Sequence, residues 1–491
     1  MTNSFYLGRK WNPEKRRFGR GEVTYDLRSH QTLLAPTGGF KGASFEIPNL
    51  LRLTGVSLVS LDPTGQNYFV TRRWRSTVSD ITLLDPFNLC GPDAGFNPLA
   101  WVQSFDDAAA IGECLQEIKE DAREPIFQES SADFLTGLCW LEVCEAKAED
   151  RTPTLQNVFG LLNGDYTKAA KRMVESGNFE LASCGGRFTE NHRTNQGIIA
   201  TAAASTRWLR SEAMRRSLSV EKGIDWRRLK GPKPLTVYVV LPADKLVTVG
   251  PGWLRLVTVC AINTLYRLGT GEGLHTVFML SEMARLGHLK PVLSALGDGR
   301  KYGIRFAPMV WQDMGQIKRV YGEHGATTII GNSGCLLAFA PGPCDIETAE
   351  FLSKSAGSVV GSRLSASDDP QGGPTRITIG EHEERSWSPD RIRDLPECHG
   401  LVWKTNNAKP QPIVCPPYWE LDECRGKFDR DPYHPGPYPV VFGRPRSIGR
   451  SAGRVMAGLL ALVIAASSYA LDHKPAIERP AHHQTTHPAR R

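Results

Sequence analysis

No two of the eleven cysteines form a CxxC pair, and the closest, Cys139 and Cys144, are five positions apart. That spacing supports neither a zinc ribbon nor a disulfide framework, and an odd cysteine count fits reduced thiols in a cytosolic compartment. The first thirty residues hold no apolar run of signal-peptide length, so the main body is expected to stay in the cytoplasm. No internal repeat is visible. With 41% hydrophobic and 23% charged residues, the chain has none of the biases of collagen-like, wholly disordered or polytopic membrane proteins. Its 491 residues suit two to four domains.

Near the C-terminus lies an apolar stretch without charge. Val455 to Leu471, VMAGLLALVIAASSYAL, is at the lower limit for crossing a hydrocarbon core of about 30 Å. Arg444, Arg446, Arg450 and Arg454 precede it, which by the positive-inside rule keeps the large domain cytoplasmic. A buried or interfacial helix is the other reading, because Ser467, Ser468 and Tyr469 weaken its far end. The 472–491 tail carries four of the twelve histidines and reads as a solvated segment. The formal net charge of +7 is concentrated: 1–30, 207–233 and 440–491 together carry +16, leaving −9 on the rest.

Thr32–Ala35, Val56–Leu61 and Ile81–Leu84 are short apolar runs bounded by Gly, Asp and Pro, the pattern of strands buried on both faces. The texture returns at Thr236–Leu241, His275–Leu280, Ile304–Val310 and Cys335–Phe339, with helical stretches at Gly42–Leu53, Trp253–Leu268 and Met283–Leu296. Strands alternating with helices predict a doubly wound parallel sheet. From about 105 to 231 the apolar residues follow helical spacing without β-branched runs, which predicts an all-helical insertion between 31–104 and 232–385. Residues 386–450, rich in proline and aromatics, read as an irregular cover and linker.

The strand ending LLAPTGGFKGAS carries the most chemistry. A Gly- and Thr-rich loop leading through a lysine into a helix is the arrangement that wraps backbone N–H groups around phosphates. Against G-x-x-x-x-G-K-[ST] it reads Ala35, four residues, Phe40, Lys41, Gly42. Phe40 replaces the glycine that lets the backbone approach phosphates, and Gly42 replaces the hydroxyl that binds Mg²⁺. By pattern alone, a phosphate loop and an ordinary strand–helix turn both stay open.

The surroundings are more specific. APTGGFKGASFEIPNLL, then LVSLDPTGQNY, DPFN and FNPLAW, and later TVYVVLPADKL, VFMLSEMARLGHL, WQDMGQIKRVYGE and DIETAEFLSKSAG, resemble the TraG/VirD type IV coupling proteins, ATPases of conjugation and type IV secretion. The resemblance runs from about residue 22 to about 420. It implies an α/β, RecA-like P-loop NTPase fold with ATP and Mg²⁺ as cofactors. It also implies a homo-oligomeric ring at the inner membrane, with single-stranded DNA or a relaxase–DNA complex and secretion-channel proteins as partners.

Position by position, the resemblance puts Thr37, Gly38, Gly39, Lys41, Gly42 and Ala43 on the nucleotide. Ser281 falls where a Mg²⁺-coordinating aspartate is usual, Glu282 where the carboxylate that activates water stands, and Gln312 on the glutamine that senses the γ-phosphate. Asp62 matches an LDP motif, with Thr64 and Gln66 in place of the usual Lys and Glu. A serine offers a neutral oxygen where a carboxylate is usual, so weaker metal binding and slowed hydrolysis are expected. The alternative is a non-catalytic scaffold or adaptor of the same system. The family's transmembrane helices precede the phosphate loop, whereas about thirty residues do so here; either 455–471 serves as anchor or the chain is a shortened copy.

Arg207, Arg210, Arg215, Arg216, Arg227, Arg228, Lys230 and Lys233 cluster around Trp208 and Trp226. Two readings stand side by side: a nucleic-acid surface with stacking platforms, or a solvated basic face.

Overall fold

The computed structural model describes residues 4–116, 124–221, 223–271, 273–367 and 376–442. The uncharged run at 455–471 and the tail at 472–491 lie outside them. No helix among the described residues is long and apolar enough to cross a membrane.

Thirteen strands run along the described chain: β1 Ser4–Asn12, β2 Arg17–Asp26, β3 His30–Leu34, β4 Ser57–Asp62, β5 Asp80–Leu84, β6 Leu235–Val240, β7 Thr276–Leu280, β8 Ile304–Trp311, β9 Ser333–Phe339, β10 Ser358–Ser367, β11 Arg376–Arg385, β12 His399–Lys404 and β13 Asn407–Val414. Eleven form one sheet in the order β2-β1-β13-β12-β9-β3-β8-β7-β4-β6-β5, while β10 and β11 pair separately as an antiparallel ribbon. From β9 to β5 every pairing is parallel. The residues of β3, β4, β6, β7 and β8 are buried throughout, as parallel strands covered on both faces must be.

The other edge is antiparallel and was not anticipated from sequence. β12 pairs with β9, β13 with β12, and β1 with β13 and β2. The helix expected over Met283–Leu296 is also divided, into a short turn at Met283–Leu286 and a helix at Lys290–Gly297. Gly287, in a left-handed conformation at φ 67°, and Pro291 at the second start cause the break.

Between β5 and β6 the described elements are all helical. Phe105–Leu115, Leu155–Asn163, Tyr166–Glu175 and Phe179–Gly185 are capped by side chains of Ser104, Thr154, Asp165 and Asn178, each accepting from a first-turn N–H. The long helix Pro125–Ala148 packs Phe134, Leu135, Leu138 and Leu141 into an apolar cluster continuous with Leu84, Phe96, Trp226 and Trp253 beside the sheet. Near its end the buried Glu142 is gripped by Arg151 at 2.5 and 3.0 Å, by the Thr154 N–H and by Asn157.

Candidate functional site

Parallel pairing decides which loops meet. Leu34 at the end of β3 is level with Trp311 of β8, and Leu280 of β7 with Met309. The loop after β3, the Ser281–Glu282 pair after β7 and Gln312 after β8 therefore leave the sheet at one edge. Such C-terminal strand edges are where open α/β sheets bind ligands.

The loop after β3 rises from buried Ala35 to exposed Thr37 and Gly38 and returns into a helix at Lys41. Gly38 has φ 82°, and a Cβ there would meet nothing within 4 Å, so the crest is open. Phe40 is also left-handed, at φ 56°, a conformation a glycine adopts freely. Its ring lies against a satellite apolar cluster of Ala43, Ile47, Leu51, Val70, Tyr418, Leu421 and Cys424, joined by Trp419, Phe428 and Tyr438. The side chain that a glycine would lack is thus packed against a cluster to which the C-terminal segment contributes Tyr418, Leu421 and Cys424.

The first turn after Lys41 is wide. Gly42–Glu46 is π-helical, with the Ile47 N–H reaching back to the Gly42 carbonyl, before the α-helix Ile47–Arg52. Such widened turns are frequent at functional sites. Asn49, in the IPNLL motif, fastens this helix to β1: its Oδ1 accepts from the Tyr6 N–H at 2.7 Å and its Nδ2 donates to the Tyr6 carbonyl at 2.9 Å.

Lys41 Nζ lies 3.6 Å from Glu282 Oε1, so the two are brought together. Ser281 Oγ donates to Glu46 Oε2 at 2.8 Å, and Asn67 Nδ2 to the same oxygen at 3.3 Å. Burial pushes the Glu46 carboxyl up, opposed by the Ser281 hydrogen bond and by Lys41. Burial also pushes Asp62 up to about 7, although the Tyr68 N–H donates to its Oδ2 at 2.9 Å. Gln312 is fixed through its backbone, whose N–H donates to Gln316 Oε1 at 2.9 Å.

Sequence reasoning passed over Glu46, Asn67 and the contact between Gln66 and Asp431. Gln66 Oε1 stands 3.5 Å from where a side chain on Gly42 would begin, and its Nε2 donates to Asp431 Oδ2 at 2.7 Å. The available signal was Glu46 itself, a lone acid in the otherwise apolar run ASFEIPNLL.

The basic cluster is corrected. Trp208 and Trp226 are 5% and 1% exposed, so neither is a stacking platform. Arg227 pairs with Asp225, Arg228 and Lys233 with Asp80, and Lys230 donates to the Gly269 carbonyl. Arg215 donates to the carbonyls of Leu209 and Arg210, closing the turn before it.

Residues 2–421 match the family described as type IV secretory system conjugative DNA transfer. The chain belongs to that family. It is 29% identical over 345 residues to the conjugal transfer protein TraG of Agrobacterium fabrum strain C58, covering 67% of this chain and 51% of that protein. It is 28% identical to a TraG of Rhizobium radiobacter, covering 67% and 52%. The chain spans about half the length of the curated relatives it matches. In fold it resembles the unbound bacterial conjugative coupling protein TrwBdeltaN70, with a TM-score of 0.62 at 17% identity over 79% of this chain and 84% of that one. It also resembles the plasmid coupling protein TrwB in complex with ADP and Mg²⁺, with a TM-score of 0.59 at 17% identity over 79% and 85%. For this member of the family, a loop with an open crest leading into a helix at a lysine has the shape that fits a polyphosphate.

Proposed function

We propose that the chain is the nucleotide-binding body of a type IV secretion coupling protein, binding ATP and delivering DNA or protein to a membrane channel during conjugative transfer. The observation that carries this reading is the meeting of Lys41, Glu282 and Gln312 at one sheet edge, with Lys41 and Glu282 3.6 Å apart. Thr37, Gly38, Gly39, Lys41, Gly42 and Ala43 hold the phosphates through backbone N–H groups and the lysine ammonium. Glu282 orients the attacking water, and Gln312 contacts the terminal phosphate. Mg²⁺, when bound, neutralises charge on the transferring phosphoryl group.

Single-stranded DNA or a relaxase–DNA complex, secretion-channel proteins and further copies in a ring are the partners in this reading. The inner membrane is its place, supported by the arginines ahead of the uncharged 455–471 run. A scaffold reading has its own support: Phe40 and Ser281 stand where a turnover site has glycine and aspartate. Nucleotide binding and phosphate release by the purified chain, with and without single-stranded DNA, separate the two. Release that disappears in Lys41→Ala fits the motor. Binding without release, restored by Phe40→Gly with Ser281→Asp, fits the scaffold. No binding by the natural chain removes the nucleotide reading.

A further inference from the structure

At the end of β7 the sequence has lost an acid, and beside that position the structure holds another that sequence reasoning did not use. Glu46 belongs to the widened turn after the phosphate loop and is 4% exposed, between Phe45 and Ile47, which are both fully buried. An apolar residue there would pack without penalty, whereas burying a carboxylate with an unused oxygen costs several kcal/mol. Its Oε2 is held by Ser281 Oγ and Asn67 Nδ2, and among the described residues Oε1 has no hydrogen-bond partner. The group is thus oriented through one oxygen while the other is left over. Two observations then coincide: by the resemblance a carboxylate is usual at position 281, and the serine that stands there touches a carboxylate arriving from another element.

We propose that Glu46 supplies the acidic oxygen for the divalent cation of a bound nucleotide, the carboxylate having moved from the end of β7 to the helix after the phosphate loop, with Ser281 as its positioning residue. A neutral oxygen beside Gly42, Gln66 Oε1, stands near the hydroxyl missing there. The charge facing the cation is kept although the position is not, since a carboxylate from either element supplies one negative oxygen to a hard cation.

This inference rests on the nucleotide reading above, and its test separates the two. Binding of methylanthraniloyl-labelled ADP to the full chain is measured in Mg²⁺ and in EDTA, and Mn²⁺ bound in the presence of ADP is counted by electron paramagnetic resonance. Glu46→Gln is expected to keep EDTA-state binding, lose at least about tenfold of the gain given by Mg²⁺, and lose the bound Mn²⁺. The double variant Glu46→Val, Ser281→Asp is expected to recover both. An unchanged Mg²⁺ gain in Glu46→Gln overturns the proposal, as does equal loss with and without metal. If Glu46→Gln does not fold, the double variant decides: recovered Mg²⁺-coupled binding supports relocation, and a folded double variant without it refutes relocation. A natural chain that binds nucleotide equally in Mg²⁺ and EDTA overturns this inference alone; one that binds none overturns the nucleotide reading as well.

Discussion

Phe40 offers the sharpest test of the loop's backbone. A left-handed conformation costs a side-chain-bearing residue roughly 1–2 kcal/mol, and Phe40 sits at φ 56°. Its ring is half-buried against the apolar cluster that holds Ala43, Ile47, Leu51 and Tyr418, and losing that burial costs about 2 kcal/mol. Phe40→Ala removes the ring and keeps the strain. Phe40→Gly removes the ring and the strain, at a cost of about 0.5 kcal/mol or more from the freer unfolded chain. The glycine variant should therefore be the more stable of the two by about 1 kcal/mol, the reverse of their order at an ordinary helical position. Urea unfolding of both variants, followed by tryptophan fluorescence, reads the difference directly. If Phe40→Ala is the more stable, the left-handed conformation at position 40 is refuted.

Three further outcomes are expected. His30 is fully buried and its Nδ1 accepts from the Phe306 N–H at 3.1 Å; burial first, then Arg305 and Arg300, lowers its pKa from 6.5 to about 4. The folded chain therefore binds fewer protons than the unfolded one between pH 6.5 and 4. This contribution is full above pH 6.5 and about 3 kcal/mol is lost as the pH falls toward 4; His30→Asn should lose correspondingly less between pH 7 and 4.5 in urea titrations. Arg75, fully buried, donates to the Leu50 and Leu53 carbonyls and to Thr236 Oγ1, so Arg75→Met should lower stability by about 3 kcal/mol by stranding those acceptors, an effect read in thermal melts. Asp431, also buried, accepts from Gln66, from the Tyr418 hydroxyl and from the Tyr433 N–H; Asp431→Ala should cost about 3 kcal/mol and speed proteolytic cleavage within 416–441, and unchanged cleavage would count against the cover being held there.

The parallel half of the sheet was legible because β3, β4, β6, β7 and β8 are buried on both faces and so read as plain apolar runs. The antiparallel half was hidden for physical reasons. β13 contains Pro410 and Pro412, which argue against a strand, yet its pairing with β1 involves Ile413 and Val414, so the prolines lie where only β12 is paired. β1 offers only Phe5–Leu7 before Arg9 and Lys10 interrupt it, and β2 is mostly exposed, so neither gave an apolar run of strand length. In the site, Lys41 stood out because its loop follows a legible strand, whereas Glu282 and Gln312 were named only by the resemblance; the structure brings Lys41 and Glu282 to 3.6 Å. Glu46 was missed because its importance lies in a contact with Ser281 across 235 positions, which no local pattern encodes.

The departures from the family's usual residues are not scattered. Phe40 packs against a cluster that includes Ala43, Ile47 and Tyr418; Gln66 donates to Asp431; the Thr64 carbonyl accepts from the Tyr433 hydroxyl at 2.7 Å. Gln66 and Thr64 thus meet the C-terminal segment, Gly42 lies beside Gln66, and Ser281 meets Glu46. Random loss of a nucleotide site would leave cavities and stranded polar groups where side chains had changed, since nothing selects the compensating contact. Here the side chains of Gln66 and Ser281 have buried or half-buried acidic partners, Asp431 and Glu46. Contacts of this kind are what the proposed nucleotide site would show if it had been rebuilt beside a covering segment, and they are the contacts that the variants at Glu46 and Asp431 test.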